Sequence, residues 1–336
     1  MPKLKVAVLM GGPSSEHEVS LKSGAEVLQN LDTDKYSVLP VMIDRRGYWL
    51  IGGDNAQPLP EAEAMLALQR DKVDLAFLAM HGEYGEDGTV QHILNAAAIP
   101  FIGSESLPSA LAMNKPVSAQ ILKYHGLTVP EFISVHYLDW NKNPLGMARA
   151  AVIKIGIPLV IKPSSRGSSV GVSIIRKLDS LQLTEIRNAV DLALSFGKEA
   201  MIQRCVTGRE FTCGVLEQNG VPSPLLPTEI KPIKGDFFDY ASKYSESGAE
   251  EITPPQRLSK EMIKKIQDTA LSAHRALGSR GLSRTDMIWG HDMELYVLEV
   301  NTLPGLTATS LLPKAALASG IEFPKLLDLI IESALA

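Results

Sequence analysis

Three oxygen-bearing side chains and an arginine alternate along two neighbouring apolar segments: Arg284 and Asp286 in SRTDMIW, then Glu299 and Asn301 in ELYVLEVN. Strand side chains alternate with period two, so the members of each pair share a face. The segments flank the turn GHDM and read as an antiparallel hairpin, most short registers of which gather all four residues on one side. Carboxylate and amide oxygens beside a guanidinium suit a hard cation such as Mg2+ held partly by substrate phosphates. A solvated sheet face with a salt bridge has the same pattern, and spacing alone does not choose between them.

A second constellation is KPSSRGSSVG, residues 162 to 171. Lys162 ends an apolar strand, and the small and hydroxyl-bearing residues that follow let backbone N–H groups approach an anion. The spacing is not that of a Walker loop, and a flexible hairpin connection reads equally well. Lys115, at a predicted helix start, and Lys162 offer point charges for phosphates, although each alone also reads as a solvated lysine.

The elements that must position these groups alternate in type over the first hundred residues. KVAVLMGG is a short buried strand, and the following stretch has helical spacing at Val19, Leu21, Ala25 and Leu28, with Ser15 and Glu18 fitting a capping box. SVLPVMID, a turn at RRGYW, the strand VDLAFLAM and the helix TVQHILNAAA complete a parallel, doubly wound α/β sheet whose functional loops lie at the carboxyl ends of its strands. The pattern changes near residue 104. Units are expected at 1–103, 104–207 and 208–336, with a long polar stretch at 231–256 that suits a lid.

Composition excludes several classes. Of 336 residues, 33 are basic and 38 acidic, which leaves no electrostatic footprint for nucleic acid or anionic lipid. No stretch approaches the ~18 apolar residues of a membrane span, and the N-terminal apolar run is too short for a signal peptide. Cys205 and Cys213 lack metal-ligand spacing and read as inert thiols of a reducing compartment. A cytoplasmic enzyme acting on small molecules is the expectation.

Taken together, the carboxylate hairpin, the small-residue loop and the lysines resemble the ATP-grasp superfamily, in which a nucleotide lies between two sheet-bearing lobes. GGPSSEHEVSLKSG, HGEYGEDGTVQ, KPSSRGSSVGV, YASKY and LEVNTLPGLTATSL narrow the resemblance to the D-alanyl-D-alanine ligases, in order and over nearly the whole chain. The resemblance implies an N-terminal doubly wound domain followed by a two-lobed ATP-grasp fold. ATP would phosphorylate one D-alanine, and the amine of a second would attack the acylphosphate. It assigns Asp286, Glu299 and Asn301 to two Mg2+ ions, with Mn2+ as a substitute, and Arg284 to oxyanion charge. Glu16 would pair with the first D-alanine's ammonium, a position where dipole compensation at a helix start is the plainer reading. His81 would lie on the substrate side, although a lone histidine at a strand end also reads as structural. Ser168 and Tyr244 would latch to Glu16 under a closed lid, and Gly305, Ser310 and Leu311 would receive the second D-alanine. Lys115, Lys162, Lys243, Gln203 and Glu210 would bind ATP, and a homodimer is implied.

Departures from the family pattern are Gln203 and Cys205, where many relatives carry glutamate and tryptophan, and His17, where arginine is frequent. An amide donates and accepts, so Gln203 remains compatible with adenine. Competing readings are a D-alanine:D-lactate ligase, disfavoured by Tyr244, and a non-catalytic ATP-binding module, disfavoured by the intact carboxylates and Arg284. A nicotinamide oxidoreductase would need G-x-G-x-x-G after KVAVLM, and GGPSSE does not supply it.

Overall fold

A computed structural model describes residues 3–53, 55–177, 183–232 and 249–336. The first apolar run forms β1 (Leu4–Gly11), and helix α1 (His17–Asn30) leads to β2 (Tyr36–Ile43). The turn at RRGYW is a hairpin closed by Gly47 N–H donating to Asp44 O at 3.0 Å, and β3 (Trp49–Ile51) adds an antiparallel edge to β2. Helix α2 (Glu61–Arg70) then delivers β4 (Leu75–Leu78), followed by α3 (Thr89–Ala96). The sheet order is β3-β2-β1-β4, with β2 and β4 parallel to β1 on opposite sides. The chain leaves β1 in one direction and returns to its other edge. The carboxyl ends of β1 and β4 thus flank a topological switch point, where such sheets bind ligands.

The expected capping box is not used. Helix α1 starts at His17 with Glu16 as its N-cap and no side-chain cap hydrogen bond, while Glu18 pairs with Arg45 at 2.9 Å. The Glu16 carboxylate instead accepts from Ser168 Oγ in a distant loop.

Helices α4 (Ser106–Met113) and α5 (Lys115–Tyr124) meet at Asn114, whose Oδ1 accepts from Val117 N–H at 3.2 Å, with Pro116 in the first turn. That cap fixes Lys115 at the helix start. Residues 132–204 build a second, antiparallel sheet in the order β5-β8-β6-β7, from β5 (Phe132–His136), β6 (Leu159–Pro163), β7 (Ser173–Ile175) and β8 (Glu199–Arg204). It has its own core around Trp140, Ile161, Ile186 and Ile202. The β6–β7 connection is the small-residue loop.

The third sheet contains β9 (Gly208–Gln218), β10 (Val221–Pro224), β11 (Thr228–Pro232), β12 (Ala249–Ile252), β13 (Leu282–Gly290) and β14 (Leu295–Asn301). Its path is β12-β11-β9-β13-β14, with β10 paired to β9 through Asn219-Gly220, both at positive φ as a tight hairpin requires. Within the predicted lid stretch, residues 231–232 and 249–252 are strand, because β11 pairs antiparallel with β12. Helices α4 and α5 pack here, placing Ala112 and Leu122 in one core with Phe211 and Val297.

The strand pair β13–β14 carries Arg284, Asp286, Glu299 and Asn301, and its register is decisive. Arg284 faces Asn301 and Asp286 faces Glu299, but a β-bulge follows, so that Met287 faces Val297 and Leu298 is the extra residue. Strict alternation from the core residue Val297 would have turned Glu299 and Asn301 into the core. The bulge shifts the phase by one and presents them beside Asp286 and Arg284, while Val297 and Val300 both remain in the core.

The C-terminal helix Phe323–Leu335 ties the ends of the chain together. It buries Leu326, Leu327, Ile330 and Ile331 in the same core as Val8 and Phe77, each contributing roughly 1.5–3 kcal/mol. Asp328 on that helix accepts from Lys35 Nζ at 2.6 Å and from Tyr36 OH at 2.9 Å.

Candidate active site

The switch point of the first sheet opens onto the bulged face of the third, and the cleft between them is lined from both sides. Glu16 comes from the loop after β1, and His81 and Glu86 from the loop after β4. Lys115 comes from α5, and Gly167 and Ser168 from the small-residue loop. Arg284, Asp286, Glu299 and Asn301 form the opposite wall, which continues through Gly305 and Ser310 to Leu311.

The four hairpin residues form one network. Arg284 grips Asp286 with two hydrogen bonds, Nε to Oδ1 at 2.9 Å and Nη2 to Oδ2 at 2.8 Å. Asn301 Nδ2 donates to Asp286 Oδ2 at 3.2 Å, and Thr212 Oγ1 donates to Asp286 Oδ1 at 2.7 Å. Lys115 Nζ stands 3.5 Å from Glu299 Oε2. Burial opposes the charge on Arg284, but Asp286, Glu299 and Glu86 outweigh it and raise the guanidinium pKa further, so this group is a permanent cation.

Glu16 occupies the other wall. Ser168 Oγ donates to Glu16 Oε1 across 152 positions of sequence. The carboxylate fits only because two neighbours lack side chains: a Cβ on Gly82 or Gly167 would lie 2.8 Å or 2.6 Å from Glu16 Oε2. Gly82 also has φ +73, a conformation that costs glycine little.

His81 is buried and fully engaged. The Leu303 carbonyl can only accept, so Nδ1 carries the proton toward it at 3.2 Å, and Nε2 accepts from Ser23 Oγ at 2.7 Å. Desolvation lowers its pKa, against Glu16. The ring is a neutral strut joining α1 to the 303 loop, with neither nitrogen available as a base.

On the far wall, Ser310 is the N-cap of the helix Leu311–Ala318, and its Oγ lies 2.7 Å from Thr307 Oγ1. A Cβ on Gly305 would lie 2.8 Å from Ser310 Oγ. A helix start opening into a cleft is a natural seat for a carboxylate.

The remaining predicted residues lie apart from this lining. Lys162 is on β6, Gln203 is buried near the end of β8, and Glu210 is on β9 facing Ile288. Lys243 and Tyr244 fall outside the described residues. Cys213 is buried with its thiol pushed up to about 12 by desolvation, and Cys205 is shifted in the same direction.

Glu86 escaped the sequence reading. Its Oε2 accepts from Gly82 N–H at 2.6 Å, and desolvation followed by the charge of Glu16 pushes its carboxyl up to about 8, against Gly82, Arg284 and Lys115. Its signal was the acidic, glycine-rich run HGEYGEDG at the carboxyl end of a strand. A folded pKa above the ordinary 4.5 means that the unfolded chain ionises first as pH rises. Stability linked to Glu86 is therefore present below the ordinary value and is lost progressively up to about pH 8. Glu86→Gln should flatten that decline, which urea unfolding at pH 5 and pH 8 measures; an unchanged difference would clear Glu86 of causing it.

Comparison with known proteins gives a consistent picture. Family models described as D-ala D-ala ligase N-terminus and C-terminus match residues 5–104 and 121–332. The D-alanine–D-alanine ligase of Clostridium beijerinckii is 37% identical over 99% of both chains. Among solved structures, the VanG D-Ala:D-Ser ligase from Enterococcus faecalis superposes with a TM-score of 0.82 at 30% identity, covering 99% of this chain and 100% of that one. The D-alanine–D-alanine ligase of Bacillus anthracis complexed with ATP gives 0.74 at 32% identity, covering 99% and 97%.

Proposed function

From the premise that this chain belongs to the D-alanine–D-alanine ligase family, we propose that its cleft joins two molecules of D-alanine, with ATP converted to ADP and phosphate, in the cytoplasm. The observation that carries the reading is the placement of Glu16, the Arg284 network and the helix start at Ser310–Leu311 around one cleft. An amino acid presents an ammonium and a carboxylate, and these walls complement both.

In this reading Glu16 takes the ammonium of the first D-alanine and leaves its carboxylate toward Arg284. The γ-phosphoryl group passes from ATP to that carboxylate, leaving ADP, and the second D-alanine, its own carboxylate held at Gly305, Ser310 and Leu311 and its ammonium having lost a proton, attacks the acyl carbon through its amine. The negative charge that develops on oxygen falls to Arg284, a fixed cation needing no reorganisation. Phosphate then leaves as the amide forms. Lys115 and Lys162 take phosphate charge, and Glu210 and Gln203 take ribose and adenine. Lys243 reaches the transferred phosphate, and Tyr244 closes the lid by joining Ser168, so that water does not reach the acylphosphate. His81 positions α1 against the 303 loop.

Asp286, Glu299 and Asn301 fit a hard cation: they offer only oxygens for it, from one face, and too few to fill its coordination, which leaves room for phosphate oxygens and water. Bound there, two Mg2+ ions, with Mn2+ as a substitute, would neutralise charge on the transferring phosphoryl group. A homodimer is part of the proposal.

Incubation with ATP, Mg2+ and D-alanine, with D-serine and D-lactate in parallel, tests it. D-alanyl-D-alanine with stoichiometric phosphate is expected. A mixed product formed in preference would overturn the acceptor, and ATP-binding protein that makes no product would overturn the activity.

A further inference from the structure

The small-residue loop belongs to the second sheet, yet groups from the first domain reach across to hold it. Arg166 is rooted in its own lobe, Nε donating to Phe196 O at 3.2 Å, and its Nη1 reaches across to form an ion pair with Glu83 in the loop after β4. Glu83 Oε2 accepts from Ser14 Oγ at 3.1 Å, and the same hydroxyl oxygen accepts from Glu16 N–H at 3.0 Å. A continuous chain of polar contacts thus runs from Arg166 to the backbone of the residue that Ser168 grips. Lys115 Nζ adds a hold on the Arg166 carbonyl at 2.7 Å.

The loop needs such holds. Ser168 and Ser169 lie at φ +52 and +58, left-handed values that non-glycine residues adopt only where their surroundings impose them. Arg166 stands two positions before the first of them, and the pair is only partly exposed, at 33% for the arginine and 18% for the glutamate. We propose that the Arg166–Glu83 ion pair is an interdomain clasp, a pair of positioning residues that seats the small-residue loop over the cleft and delivers Ser168 to Glu16. The activity consequence rests on the ligase reading above; the structural consequence does not.

The test uses the full chain in four forms: unaltered, Glu83→Arg, Arg166→Glu, and the double exchange. Each single reversal sets like charges face to face and should speed amide exchange in residues 164–172 of the ligand-free protein. Each should also lower kcat/KM for D-alanine by about tenfold, in the range of coupling between contacting residues. The double exchange restores the attraction and should return both readouts to within about threefold of the unaltered chain on the same grounds. A role in packing alone would not be rescued by exchanging the charges. The clasp is overturned if both single reversals match the unaltered protein, or if the double exchange is no better than the worse single variant. If the unaltered chain makes no dipeptide, the ligase reading fails and amide exchange alone decides the clasp.

Discussion

Arg284→Ala should lower turnover by ~10²-fold or more, the loss seen when a donor to developing oxyanion charge is removed. The guanidinium sits on β13 opposite Asn301, pinned by two hydrogen bonds to Asp286, with 18% of its side chain exposed. A charge held that firmly stabilises the transition state without moving, and its fork matches two oxygens at once. Arg284→Lys should therefore recover little, because an ammonium cannot keep both bonds to Asp286 while reaching the substrate. Steady-state kinetics with a thermal melt as control would separate chemistry from folding. Near-normal turnover in a folded Arg284→Ala protein would remove this residue from the reaction.

How much of this site could be read before the fold is clearest at the same hairpin. Alternation alone gives two polar pairs on two strands and the turn between them, and β13 and β14 pair about that turn. Alternation does not give the bulge, since an extra residue leaves no mark in the hydrophobic pattern; yet Leu298 decides which way Glu299 and Asn301 point. The N-terminal parallel core was equally legible from apolar runs and helical spacing. Its antiparallel edge was not, because three residues, Trp49 to Ile51, are too few to show a period.

Glu16 illustrates a different limit. Local rules assign an acid at a helix start to capping or to the dipole, and the capping box at Ser15 and Glu18 is locally persuasive. The helix instead begins after Glu16, and the carboxylate is held by Ser168, a partner from another sheet. Contacts between distant segments carry no local signature; only the shared motifs brought Glu16 forward. Glu86 was missed for the same reason, because its shift arises from desolvation and from Glu16, both products of the folded cleft.

Glu299→Gln should be the second severe lesion. The substitution keeps the shape of the side chain and removes one negative charge from the wall that faces the phosphates in the proposed reaction. Its loss weakens the oxygen set formed with Asp286 and Asn301 and deprives Lys115, 3.5 Å away, of its carboxylate. A neutral amide offers one weaker oxygen where a carboxylate can serve two cations, so turnover should fall by ~10²-fold or more, as for other groups that stabilise transition-state charge. The lesion should also be partly relieved by raising Mg2+, whereas the Arg284→Ala lesion should not be. A readout independent of turnover is the rise in melting temperature that Mg2+ and ATP produce together, since binding to the folded state stabilises it by mass action. In Glu299→Gln that rise should require higher Mg2+. The same Mg2+ dependence in both proteins would mean that Glu299 does not hold the cation, and its carboxylate would then serve to balance Lys115.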